Sequence, residues 1–121
     1  MGPTALRIDA VYNGSVPLLI NFAPIAAATN GDNAIVAAVT GKKIRVMQLF
    51  VQAGAAGNIY FTDGTTVVFG GNSNTINLAI NGNVNLNFSP IGWFETGVGA
   101  GLTLHTSSTG PFGGGLAYIT I

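Results

Sequence analysis

The stretch Gly41-Lys42-Lys43-Ile44-Arg45-Val46-Met47-Gln48-Leu49-Phe50-Val51 is the longest in the chain that reads as one buried strand, and its entry holds three of the four basic residues. A basic entry suits a strand that starts in water. The nearly unbroken apolar run behind it suits one that then crosses a core. Such a strand needs partners, and what surrounds it is a series of short β-type segments cut off by Gly, Asn, Asp or Pro. Ala26-Ala27-Ala28 is the one good helix-forming patch ahead of a breaker. Asn30-Gly31-Asp32 ends it, so a loop or at most one turn is expected there.

Leu6 to Tyr12 alternates, with Leu6, Ile8, Ala10 and Tyr12 on one face and Arg7 and Asp9 on the other, as a half-buried strand does. Asn13-Gly14 follows as a turn, and Val16 to Phe22 as a second extended segment. Pro17 near its start and Pro24 just after it point to an edge strand or an arm. Residues 1–24 are therefore expected to form an N-terminal strand or arm of a single domain spanning 1–121.

Two dipeptides predict two-residue hairpin loops of type I′, with φ > 0 at both positions: Asp63-Gly64, between Ile59–Thr62 and Thr65–Phe69, and Asn81-Gly82, between Thr75–Ile80 and Asn83–Phe88. In the second, Ile76, Leu78, Ile80, Val84, Leu86 and Phe88 predict a core face, and Asn77, Asn85 and Asn87 an Asn-rich surface. Ser89 to Thr96 reads as a structured loop. Leu102 to Ser107 and Leu116 to Ile121 read as the last two strands. About eight to ten short strands with no credible helix predict an all-β fold. Its form is expected to be a single-domain antiparallel β-sandwich, a jelly roll by its irregular crossovers, with an extended N-terminal segment.

Composition narrows the function. The chain has 121 residues and no cysteine, so it has neither a disulfide framework nor a thiolate metal site. One histidine and four scattered carboxylates leave little material for a metal, and no metal or cofactor is expected. The four basic and four acidic residues cancel, against a usual charged share of about a quarter. So little charge gives weak colloidal repulsion, and much of the surface is expected to be covered by copies of the chain or by a partner. Four basic residues neutralise few phosphates, which disfavours nucleic acid. No apolar run approaches the ~18 residues of a membrane helix. The N-terminus fits neither a secretory signal nor a myristoylation site, so synthesis and folding in a cytoplasm are expected.

No group of residues suggests catalysis, and an enzyme is not expected. His105 has no local nucleophile or carboxylate motif and reads as a strand-face or interface histidine. Gly97-Val98-Gly99-Ala100-Gly101 lacks the helix and the Lys-Ser/Thr pair of a phosphate loop. Asp9, Asp32, Asp63 and Glu95 lack calcium-loop spacing. Glu95 is expected to anchor its loop through backbone N–H groups or by pairing with Arg45 or a lysine. Trp93 and Phe94 are adjacent, so in extended chain they point to opposite sides, one into the core and the other toward a partner or a sugar. The interface candidates are Trp93, Phe94, Glu95, Arg45, Pro17 and Phe22.

From Gly41 onward the chain resembles a small β-sandwich domain that recurs among proteins of tailed bacteriophages. The resemblance rests on Gly-Lys-Lys-Ile-Arg-Val at 41–46, Thr-Asp-Gly-Thr at 62–65 and Asn-Gly at 81–82. It continues through Pro-Ile-Gly-Trp-Phe-Glu-Thr at 90–96 and Gly-Gly-x-Leu-x-Tyr, which ends at Tyr118. Gly-Trp-Phe-Glu-Thr is the most specific part, and residues 1–40 carry none of it. The resemblance implies a virion structural protein of the head decoration (cement) type. Such a protein would be a homotrimer on the outer surface of the head, bound to the major capsid protein and clamping neighbouring capsid subunits. The segment before Pro24 would reach a neighbour by strand addition. The alternative is a tail-fibre or receptor-binding tip module recognising host surface glycans through Asn77, Asn85, Asn87 and Trp93.

Overall fold

A computed structural model describes residues 10–13, 16–71 and 76–121, with side chains described from Leu18 onward. Among these residues there are twelve strands and no helix: β1 Ala10–Asn13, β2 Val16–Leu19, β3 Asn21–Ala27, β4 Gly31–Val36, β5 Ile44–Ala53, β6 Gly57–Thr62, β7 Val67–Phe69, β8 Ile76–Leu78, β9 Asn83–Leu86, β10 Phe94–Glu95, β11 Leu102–Thr106 and β12 Phe112–Thr120. The expected strand over Leu6–Tyr12 lies outside the described residues up to Asp9.

Two five-stranded antiparallel sheets make a β-sandwich. The first has the order β10-β5-β12-β3, with β9 also on β5, and the second β4-β11-β6-β7, with β8 also on β6. Each sheet thus ends on one side in two short strands laid in tandem: β10 and β9 along β5, β7 and β8 along β6. The organising strand of the sequence is the central strand β5. Its residues Ile44, Val46, Leu49, Val51 and Ala53 face the core together with Ile25, Ala27, Phe112 and Leu116 of the same sheet. Val36, Ile59, Phe61, Leu78, Leu102 and Leu104 of the other sheet meet them. At one end the rings of Phe61, Phe69 and Phe94 close the space between the sheets, with the Phe69 and Phe94 centroids 4.8 Å apart.

Several expectations need correction. Pro24 and Ala26-Ala27 lie inside β3, because an edge strand tolerates a missing N–H and the pairing with β12 outweighs alanine's helical preference. Residues 94 and 95 of the expected 89–96 loop form β10 against β5. The last strand starts at Phe112, before the expected Leu116, and runs through Gly113-Gly114-Gly115. The Asp63-Gly64 hairpin exists, but its loop has four residues, Asp63 to Thr66, closed by the Asp63 N–H to the Thr66 carbonyl at 3.0 Å. Only Gly64 there has positive φ.

The larger correction concerns Asn81-Gly82. Strands β8 and β9 do not pair with each other: β8 joins β6 in one sheet and β9 joins β5 in the other. The dipeptide sits in a turn that carries the chain between sheets, closed by the Gly82 N–H to the Ala79 carbonyl at 2.8 Å. Asn81 has φ 67° and Gly82 has no positive φ. Positive φ at the third position alone is what a type II turn needs, not a type I′ turn. Gly82 is required for a different reason. A Cβ there would lie 2.9 Å from the Ala79 carbonyl oxygen. Gly82→Val is therefore expected to cost about 1–3 kcal/mol through overpacking, read as a lower denaturant midpoint. A midpoint equal to wild type would mean the turn opens freely.

Candidate functional site

The site is built on an irregularity in β5. Tyr118 pairs with Val46 and Ala117 with Gln48, which leaves Met47 as the extra residue of a β-bulge. The bulge detaches Met47 from the main core. Met47 and Ile119 form a second buried cluster instead, covered by Leu18, Ile20, Phe88 and Ile121. Leu18 belongs to β2, which pairs with β1 as a separate two-stranded ribbon. A lone ribbon is marginal in water and needs a surface to lie on. The bulge supplies it, on the outer face of the first sheet.

The registers place the rest of that face. Arg45, Gln48, Phe50 and Gln52 of β5 alternate with the core-facing residues and so point outward. In β12 the outward positions are Gly113, Gly115, Ala117 and Ile119, and in β3 they are Phe22, Pro24 and Ala26. Across the strands, Gln48, Ala117 and Phe22 form one row, and Phe50, Gly115 and Pro24 the next. Gly115 and Ala117 are small, so the rows enclose a groove of about 490 Å³ with Phe50 on one side and Phe22 and Pro24 on the other. Phe22 is 77% exposed.

At the other end of the face lies a charged corner. Glu95 stands opposite Arg45 in the β10–β5 pair. Its Oε1 accepts from Arg45 Nε at 2.9 Å and lies 2.8 Å from Nη2, while Oε2 accepts from Lys43 Nζ at 3.0 Å. All three side chains remain about a third exposed, so the pairs hold geometry more than they add stability. They fix β10, and with it Trp93. The Trp93 backbone N–H donates to the Val46 carbonyl at 2.8 Å and its indole N–H to the Asn87 carbonyl at 2.7 Å. Trp93 is 47% exposed, and Ile91 beside it 81%.

Trp93, Glu95, Arg45 and Phe22 therefore share one face, and Pro17 lies in the ribbon strand β2, opposite Tyr12, with its side chain outside the description. Phe94 is the exception. It turns inward onto Phe61 and Phe69 and belongs to the core rather than to an interface. The expected opposition of Trp93 and Phe94 holds, and so does the pairing of Glu95 with Arg45 and a lysine. The Asn-rich surface does not: Asn77 lies on the second sheet, whereas Asn85, opposite Phe50, and Asn87 belong with the first. Sequence reading passed over Met47 and Phe50. The available signal for Met47 was the three-residue spacing of the polar Arg45 and Gln48, which breaks strict alternation around it.

On the other sheet, the His105 Nδ1 lies 2.8 Å from Asp32 Oδ1, and its ring stacks on Tyr60 at 4.6 Å. No hydroxyl or thiol nucleophile stands in bonding contact with that imidazole among the described residues. No protein-family model matches the chain, and neither a curated protein nor a solved structure matches it. On the outer face of the first sheet the described charged side chains, Lys43, Arg45 and Glu95, gather at one corner.

Two carboxyls, Glu95 at this corner and Asp63 in the β6–β7 loop, bear on the pH response of the fold. Glu95 is held below the ordinary carboxylate range by Lys43 first and then Arg45, against some desolvation. Asp63 is lowered chiefly by the Thr66 N–H, which outweighs desolvation, and further by the N–H groups of Gly97 and Thr65. A carboxyl with a depressed folded-state pKa stabilises the fold above its unfolded value. That stabilisation is lost as pH falls through the unfolded value toward the folded one. The melting temperature is thus expected to fall between about pH 5 and pH 2, and less steeply in a Glu95→Gln, Asp63→Asn protein. An equal slope in both would remove these two groups as its cause.

Proposed function

We propose that this protein decorates the outer surface of a tailed-phage head, self-associating as a trimer and bridging neighbouring subunits of the major capsid protein. The observation that carries this reading is the outer face of the first sheet. It combines an uncharged apolar groove, a half-exposed tryptophan fixed by a charged corner, and an N-terminal ribbon seated on a bulge. The most specific element of the phage resemblance, Gly92 to Thr96, builds that corner. The strand order also supports it. The chain changes sheet at β3–β4, β4–β5, β5–β6, β8–β9, β10–β11 and β11–β12, giving β3-β12-β5-β9/β10 facing β4-β11-β6-β7/β8. That is the arrangement expected of a jelly roll, a form used by viral capsid and lectin domains.

The action is mechanical. Each oligomer buries apolar and hydrogen-bonding surface across a capsid joint, and shell expansion would have to expose it again. With so few charges involved, binding to the shell is expected to change little with salt. The first measurement is the copy number of this protein in purified virions relative to the major capsid protein, by quantitative mass spectrometry. A count commensurate with the capsid lattice supports decoration. A handful per particle moves the protein to the tail or fibre tip and favours the glycan reading, and absence overturns both.

A further inference from the structure

We propose that the β1–β2 ribbon is a strap that lifts from its seat while the sandwich stays folded, and that Met47 beneath it is thereby a peroxide-sensitive site. Met47 is fully buried, yet it belongs to the second cluster and not to the main core. Two of the side chains that cover it, Leu18 and Ile20, come from the ribbon and its link to β3. Among the described strands, β1 and β2 pair only with each other. No ladder of backbone hydrogen bonds ties them to either sheet, and what holds them is apolar contact from a few side chains. Elements so attached open at a fraction of the free energy of global unfolding. β5, which carries Met47, is by contrast paired with β12 on one side and with β10 and β9 on the other, so it stays in place when the strap lifts.

What the lifting exposes is a thioether. Its sulfur attacks a hydroperoxide and the O–O bond breaks. One oxygen stays on sulfur as the sulfoxide, and the other leaves as water or alcohol. Sulfur loses two electrons and the peroxide gains them. The product is polar, whereas the described side chains around the seat, Leu18, Ile20, Phe88, Ile119 and Ile121, are all apolar. A sulfoxide returned there would be buried without a side-chain donor, which is unfavourable. Oxidation thus holds the strap open. The inference concerns the isolated chain and stands apart from the capsid reading.

The test follows oxidation of Met47 by hydrogen peroxide, using peptide mass spectrometry, in the wild type, Leu18→Ala and Leu49→Ala. The urea-unfolded chain gives the unprotected rate. The wild-type rate is expected to fall well below it. Leu18→Ala loosens the strap and should raise the rate about fivefold. Leu49→Ala weakens the main core and should leave the rate unchanged. If Met47 were reached only by global unfolding, Leu49→Ala would speed its oxidation about thirtyfold or more, and that result overturns the proposal. A wild-type rate equal to the unprotected one also overturns it, since the strap would not be seated, and so does a rate indifferent to Leu18→Ala. Hydrogen exchange on the oxidised protein supplies a second reading. Residues 16–20 should exchange faster, with β5, β6, β11 and β12 as slow as before. Protection lost across the whole sandwich would mean that Met47 supports the core, and would likewise overturn the proposal. The virion copy number bears on none of these outcomes.

Discussion

Gly114→Ala is expected to cost about 3–4 kcal/mol, a large part of the roughly 5–15 kcal/mol that holds such a domain folded. Gly114 lies in mid-strand between Val51 of β5 and Ile25 of β3, with φ 149°. A Cβ built there would overlap the Phe50 carbonyl oxygen, far inside any contact distance. Backbone would have to move, and the backbone concerned is the ladder joining the two longest strands. Gly114 itself is exposed, but forcing a Cβ against that backbone still costs about 1–3 kcal/mol, and an unfavourable φ about 1–3 more. Urea titration should show a midpoint well below wild type. A midpoint within error of wild type would mean that β5 and β12 separate here without penalty.

Leu49→Ala is the second, with an expected loss of about 2–5 kcal/mol. Leu49 is fully buried, between Leu116 on β12 and Leu86 on β9, and its side chain fills the space between the sheets. Few neighbours can collapse into the cavity, because Leu49 sits in a strand paired on both sides. An unchanged m-value with a lower midpoint would confirm lost packing rather than an altered unfolded state. A wild-type midpoint would mean that Leu49 is not a core residue.

The contrast between the two dipeptides shows what was legible in the sequence. Asp63-Gly64 and Asn81-Gly82 both mark turns, as local chemistry dictates. What a turn connects depends on which strand the next segment finds, and no residue near Gly82 encodes that. Of the expected core face, Ile76, Leu78, Val84 and Leu86 do face the main core. Ile80 is 62% exposed because it lies in the turn between the sheets, and Phe88 packs with Met47 and Ile119 instead. Two strands of like pattern serve equally well in one sheet or in two. The bulge was hidden for a related reason. Its one trace is that Arg45 and Gln48, both outward, stand three residues apart with two apolar residues, Val46 and Met47, between them. Glu95 was legible because charge is so scarce that few partners exist. Trp93 and Phe94 were legible because adjacent residues in extended chain must diverge. The groove was not, since Phe22, Phe50 and Gly115 come from three distant segments.

The position of β12 bears on how the protein is made. It lies between β3 and β5, yet of the three it is synthesised last. Until it arrives, a nascent chain carries β3 and β5 with the seat between them empty, and neither can be completed by local contacts. Folding of the first sheet therefore waits on its latest strand, a high-contact-order arrangement that favours slow assembly. During that wait, the uncharged segment 16–27 is open to pairing with the same segment of a neighbouring nascent chain. Chaperone dependence and loss to inclusion bodies at high expression are the expected signs.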